Sequence, residues 1–361
     1  MRVVIAPDSF KGTASAIEVA AAISSGWRSV RPDDELRLFP LADGGEGTLQ
    51  AIEEAVPGAA RVPISVRGPD DRQVQAYWLL LPDGTGVVEL ANTSGITLLD
   101  RLRPLTAHTI GFGQAIAAAL NYRVNRLILA IGGSSSCDGG AGALSVLGTK
   151  LHDSAQTPIP PGNVGLGALT LVDMSHMNLL PAFGAVVLCD VTNPLLGPTG
   201  AAAVFGRQKG ASDTQIAELE SNLSRLPELI PIDPATPGTG AAGGTAFGLM
   251  AWGAKVEAGA AVVGTLLGIP SAIRDADLVV TGEGQFDDQS SAGKVPAYVV
   301  SLAMATNTPV ALVAGIIEAP TSCFVTAQSL SILAGGTASA IADPLAYLHR
   351  AGAELAAAQK N

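Results

Sequence analysis

Five stretches of the chain repeat one pattern: a short apolar run, an acidic residue among glycines or other small residues, then a helix-forming segment. Asp8 follows Arg2–Ala6, and Asp43 and Glu46 follow Leu36–Pro40. Asp138 follows Leu127–Ile131 through Gly132-Gly133-Ser134-Ser135-Ser136-Cys137. Asp190 follows Val186–Cys189, and Glu283, Asp287 and Asp288 follow Leu278–Thr281. Glycine lets a backbone approach a phosphate closely, and a helix N-terminus offers unsatisfied N–H groups with a partial positive charge. Carboxylates in the same loops would repel a bare phosphate. They make sense if Mg²⁺ lies between, since that ion favours one or two carboxylates together with phosphate oxygens. Lys11, Lys209 and Lys294, each beside small residues, could neutralise a transferring phosphoryl group. Asp and Gly are also ordinary turn residues, so one such loop says little. Five of them in a chain only 15% charged point to a shared site. The acidic loops alone would also suit a metal-dependent phosphatase.

Other chemistries are missing from the sequence. It has no GxxxxGK[ST] phosphate loop, no GxGxxG after a strand (Gly111-Phe112-Gly113 continues to Ile116), no protein-kinase signature set and no GxSxG elbow. His108, His152, His176 and His349 lack metal-ligand spacing, and three cysteines without CxxC argue against structural zinc and a disulfide framework. A net charge of −11 argues against a nucleic-acid partner. The N-terminal apolar run is too short for a signal peptide, and no stretch is long enough to span a membrane, so a cytoplasmic protein is expected. Oligomeric state is not readable, and a homo-oligomer stays open.

The elements that must position these loops read as α/β. Arg2–Ala6 is expected to be a buried strand, and Ser15 with Glu18 forms a capping box for a helix over 16–30. A strand at Leu36–Pro40 and a further helix complete a βαβα opening, which predicts a parallel sheet. Around 63–100 the pattern changes. Val74–Leu81 and Gly86–Leu90, separated by Pro82-Asp83-Gly84, predict a hairpin. Helices are expected over Thr109–Leu120, Asp213–Leu226, Gly240–Trp252 and Val295–Thr306, and from Pro344 onward; Val310–Ala314 is a strand. The βαβ style returns after about 275. The expected architecture is therefore a doubly wound parallel-sheet domain from both chain ends (1–62 and 275–361, Rossmann-like or flavodoxin-like), with a second α/β domain (63–274) inserted. A substrate cleft at their junction is expected.

Taken in order, the loops resemble the type 1 glycerate kinase family nearly end to end. The matching segments are Ile5-Ala6-Pro7-Asp8-Ser9-Phe10-Lys11-Gly12, Ala42-Asp43-Gly44-Gly45-Glu46-Gly47-Thr48 and Gly132-Gly133-Ser134 with Asp138-Gly139-Gly140-Ala141-Gly142. They continue with Cys189-Asp190-Val191, Asn193-Pro194-Leu195, Gln208-Lys209-Gly210, Gly240-Ala241-Ala242-Gly243-Gly244 and Thr281-Gly282-Glu283-Gly284 through Asp287, Gln289 and Gly293-Lys294. The resemblance implies ATP-dependent phosphorylation of D-glycerate to 2-phosphoglycerate, a discontinuous first domain, and a divalent metal. It implies catalytic roles for Asp8, Lys11, Asp190 and Lys209. Substrate and phosphate contacts are implied for Ser9, Gly44, Gly45, Gly133, Ser134, Asp138, Asn193, Gly243, Gly284, Asp287 and Lys294. Metal binding is implied for Asp43, Glu46 and Glu283, with Asp190 a further candidate, and domain closure would exclude water. The chain departs from the family pattern at Cys137 (often Asn), Gln285 (often Arg), Phe112 and Gln114 (often Thr and Glu) and Thr192 (often Asp). Those departures motivate the alternative of a two-domain binding protein with altered specificity or without catalysis.

Overall fold

The computed structural model describes residues 1–287 and 294–359. Asp288, Gln289 and Gly293 lie outside the described residues. The chain divides into two compact units, one formed by Met1–Asp43, Gln50–Val56 and the chain from Ala258 onward, the other by Gly44–Leu49 and Pro57–Glu257. The described strands are β1 (Arg2–Pro7), β2 (Glu35–Leu38), β3 (Ala60–Arg67), β4 (Gln73–Leu80), β5 (Thr85–Glu89), β6 (Arg126–Ala130), β7 (Lys150–His152), β8 (Leu171–Asp173), β9 (Ala185–Leu188), β10 (Lys255–Glu257), β11 (Leu278–Phe286), β12 (Val310–Ile317) and β13 (Thr326–Ser329).

The first unit is a five-stranded sheet in the order β13-β12-β11-β1-β2, parallel at every pairing. Its central strands are apolar on both faces, as a sheet covered by helices on both sides requires. Val3, Ile5, Val280 and Val313 join one buried cluster with Ile23, Trp27, Leu348 and Leu355 of the helices Ala16–Val30 and Pro344–Ala357. The helix Val295–Thr306 packs against β11, β1 and β12. The first helix starts where the capping box places it: Ser15 Oγ accepts from Glu18 N–H, and Glu18 Oε2 accepts from Ser15 N–H at 2.9 Å. That helix and the last one meet almost backbone to backbone. A Cβ at Gly26 would fall 1.8 Å from the His349 carbonyl oxygen, and one at Gly352 would fall 2.2 Å from that of Ile23.

The second unit holds a mixed sheet in the order β10-β9-β6-β5-β4-β3. β10, β9, β6 and β5 are parallel, and β4 and β3 are antiparallel. The hairpin around Pro82-Asp83-Gly84 forms, tied by Gly84 N–H to Leu81 O and Thr85 N–H to Asp83 Oδ1. Only two residue pairs join its strands; β4 pairs far more fully with β3, along all eight residues from Ala60↔Leu80 to Arg67↔Gln73. β3 escapes a pattern reading because it is an edge strand, mostly exposed, with Pro63 inside it.

Three element boundaries differ from expectation. β11 runs past Thr281 to Phe286, because Gln285 and Phe286 keep pairing with Ile316 and Ile317 of β12; Glu283 and Gly284 therefore sit in a strand, not in a loop after it. The helix Ala241–Trp252 begins with left-handed backbone at Ala242, Gly243 and Gly244. The expected helix over 213–226 splits into Asp213–Leu223 and Arg225–Leu229. No helix among the described residues is long and apolar enough to cross a membrane.

Candidate functional site

In the first unit the acidic residues gather at the carboxyl ends of β1, β2 and β11, where open parallel sheets bind ligands. Asp8 leaves β1 while still tied to its neighbour by Asp8 N–H to Gly282 O, 2.8 Å. A tight turn follows, with Thr13 and Ala14 N–H both donating to Phe10 O, and it leaves Lys11 exposed. Asp43 ends this unit's first segment, its backbone pressed against Gly259 at the start of the helix Gly259–Leu266; a Cβ at Gly259 would fall 2.0 Å from Asp43 O. Glu283 is 5% exposed. Lys294 Nζ lies 3.7 Å from Glu283 and 3.8 Å from Asp287. Asp8, Ser9, Lys11, Asp43, Glu283, Gly284, Asp287 and Lys294 all line one cavity of about 370 Å³.

The electrostatics of this cluster follow from crowding. Burial, then the neighbouring Asp43 carboxylate, push Asp8 up to about 8, against the Ser9 N–H bond (2.6 Å) and the charge of Lys11, with Glu283 adding to the rise. Among the described residues no three His, Cys, Asp or Glu side chains form a ready-made metal cage. The donor set is instead a few oxygen ligands with more negative charge than two lysines offset. That suits a hard divalent cation completing its shell with phosphate oxygens and water.

The second unit brings together the other group. The loop after β6 packs on the segment Gly44–Leu49 through backbone alone: Gly132 N–H donates to Gly44 O at 2.9 Å, and a Cβ at Gly132 would fall 2.5 Å from Gly45 Cα. Lys209 is 2% exposed and donates to Ser134 Oγ at 2.8 Å and to the Ser136 carbonyl oxygen. Burial pushes its ammonium down from the ordinary lysine range, while Cys137 and Asp138 act in the opposite direction. Gly243 makes the seat. Its φ is +67°, and a Cβ there would fall 2.1 Å from Ser136 O and 2.9 Å from Lys209 Nζ. Gly133, also left-handed, turns the chain before Ser134.

The remaining expected residues lie around these two groups. The Asp138 carboxylate is fully buried and turned into its own loop: it accepts from Thr109 N–H and Oγ–H, Gly140 N–H and Gly142 N–H. Asn193 spans its loop by donating to Thr199 O, 2.8 Å. Asp190 is half-buried, one residue beyond Cys189, which follows the end of β9. Glu46 belongs to the second unit and adds its charge to the surroundings of Glu89.

Glu89 escapes the sequence reading. It closes β5 with its side chain 4% exposed and accepts from Leu49 N–H at 3.0 Å, with Gly47 and Thr48 N–H also donating. Burial pushes it up to about 7, and those backbone bonds pull the other way. It therefore organises the glycine-rich turn that carries Glu46. No flanking glycine marked it; the usable signal was a lone carboxylate after Val87-Val88 at the end of a short strand, which proves buried throughout.

Among the departures, Phe112 and Cys137 are core, both fully buried. Gln114 accepts from Arg67 N–H. Thr192 is exposed. Gln285 lines the first-unit cavity and donates to Glu318 Oε2 at 2.7 Å.

Comparison with known proteins covers almost the whole chain. The model of the glycerate kinase family matches residues 3–360. The chain is 43% identical over 325 residues to the glycerate 2-kinase of Escherichia coli K12, spanning 87% of this chain and 85% of that protein. It is 40% identical over 328 residues to the glycerate kinase of Bacillus subtilis 168, spanning 88% and 86%. A crystal structure of a protein assigned as glycerate kinase 2 from Salmonella typhimurium LT2 superposes with a TM-score of 0.84 at 37% identity, covering 99% of this chain and 97% of that one.

Proposed function

Because the chain belongs to the glycerate kinase family, we propose that it transfers the terminal phosphoryl group of ATP to D-glycerate, at the 2-hydroxyl. The observation that carries this reading is the first-unit cavity: carboxylates and lysines at the ends of parallel strands, built from residues of the family's motifs. Phosphoryl transfer needs positioning and charge neutralisation more than a strong nucleophile. A lysine offsets the charge of the phosphoryl group in flight: Lys11 is a candidate, with Lys294 lining the same first-unit cavity, and the buried Lys209 is the candidate from the second unit. The glycine-rich turns at Gly44-Gly45 and Gly133, with Gly243, Gly284, Ser9, Ser134 and Asn193, offer backbone and hydroxyl groups to phosphate or glycerate oxygens. Asp138 acts as a positioning residue, holding its loop from within.

Asp8 or Asp190 orients the glycerate hydroxyl and receives its proton. Asp8 can do so only in its ionised form, which a cation held beside Asp43 and Glu283 would favour by offsetting their charge. Mg²⁺ is proposed to be held by some of Asp43, Glu46, Asp190 and Glu283, and Asp287 is proposed to contact substrate or phosphate; when bound, the ion would screen the charge of the phosphate oxygens. The name of the Escherichia coli relative supports the 2-position. No observation favours a binding protein without turnover.

The test is ADP formation by the purified protein with ATP and Mg²⁺, in the presence and absence of D-glycerate. Glycerate-dependent ADP release is expected. ADP released at the same rate without an acceptor would leave only an ATPase.

A further inference from the structure

The first-unit cavity is larger and less polar than glycerate requires. Its 370 Å³ falls within the range of pockets that enclose drug-sized ligands, far more than a three-carbon acid fills. Strand order gives its two sides different chemistry. Asp8, Lys11, Asp43, Glu283 and Asp287 follow or end β1, β2 and β11, which lie on one side of the sheet. On the other side, over β12 and β13, the lining is Ile316, Leu330, Ala340, Ile341 and Pro344. Every carbon of glycerate carries oxygen, so an apolar wall would strip water from its hydroxyls and return nothing. ATP has the matching asymmetry, with a flat heteroaromatic base at one end and phosphates at the other.

Resting on the kinase reading above, we infer that this cavity is the nucleotide site. The adenosine half lies against the apolar wall over β12 and β13, and the phosphate half lies toward the carboxylate and lysine side. Ile341 and Ile316 then set the affinity for the base, and Thr337, which also lines the cavity, supplies a hydroxyl for polar contact. Glycerate is left to be bound by other groups than this wall.

Ile341 is the residue to change, because it lines the cavity while 57% exposed, so a polar replacement leaves the core intact. The probe is a fluorescent ribose-labelled ADP with Mg²⁺, titrated without glycerate, with unlabelled adenosine as competitor. Ile341→Glu is expected to weaken binding about tenfold, a loss of about 1.4 kcal/mol, and to abolish competition by adenosine. Ile341→Leu should hold the wild-type affinity. In steady state the KM for ATP should rise while that for glycerate stays put. Unchanged ADP affinity in Ile341→Glu, or a rise in the KM for glycerate alone, would overturn the assignment. Binding is read without turnover, so a protein that failed to phosphorylate glycerate would still report on the cavity. A working glycerate kinase indifferent to Ile341→Glu would refute the cavity assignment alone.

Discussion

At the scale of single residues, the proposed transfer draws on one charge kept where water cannot reach it. Lys209 is a lysine with almost no exposed surface, held by a serine hydroxyl and a carbonyl oxygen. A cation fixed in a dry site stabilises developing negative charge more strongly than one in solvent. Lys209→Met, which keeps the bulk of the side chain, is expected to lower kcat by about a hundredfold or more while leaving the fold intact by circular dichroism; a kcat within a few-fold of wild type would remove Lys209 from the transfer step. Asp8 makes a prediction with a definite sign. Its carboxyl is raised from 3.8 to about 8 in the folded protein, so the native state holds a proton that the unfolded chain has lost. The stability it contributes is fully present below about pH 3.8 and is lost as pH rises to about 8. Thermal melts of the metal-free protein should thus fall across that window, and Asp8→Asn should flatten the fall. Such burial is not written in a sequence: the Asp8 and Lys209 motifs stand out in it, but their dry surroundings arise only when distant segments pack.

At the scale of elements, two kinds of glycine emerge. Gly197 takes φ +94° with nothing near its missing side chain, whereas Gly243 takes φ +67° against the Ser136 backbone and the Lys209 ammonium. Gly197→Ala should cost about 1 kcal/mol from backbone strain alone. Gly243→Ala should cost about 3 kcal/mol, strain plus overpacking, and it alone should lower kcat. Urea unfolding and steady-state kinetics on the pair separate the two effects; equal stability losses would mean that the Lys209 seat relaxes freely. Most strands and helices were legible, because a run such as Val3-Val4-Ile5-Ala6 and a capping box at Ser15 and Glu18 are local signals. β3 and the far end of β11 were not. Both are held by a neighbouring strand, β4 in one case and β12 in the other. Glu89 was hidden for the same reason, since its partners lie forty residues back along the chain.

At the scale of the whole molecule, the α/β class and the parallel sheet built from both chain ends followed from the βαβ rhythm at the two termini. Ordered loop motifs carried the resemblance to a family, and the family match from residue 3 to 360 supports it on independent ground. The net charge of −11 does not oppose an anionic substrate pair, because lysines sit among the carboxylates in both units. The central claim is a phosphoryl transfer from ATP to D-glycerate, and phosphorus NMR of the reaction mixture tests it most directly. The account predicts a new phosphomonoester signal, split into a doublet by the one proton on the carbon bearing the 2-phosphate, growing as the terminal phosphate of ATP declines. A triplet would move the phosphate to the 3-hydroxyl, and inorganic phosphate as the sole product would contradict the kinase reading itself.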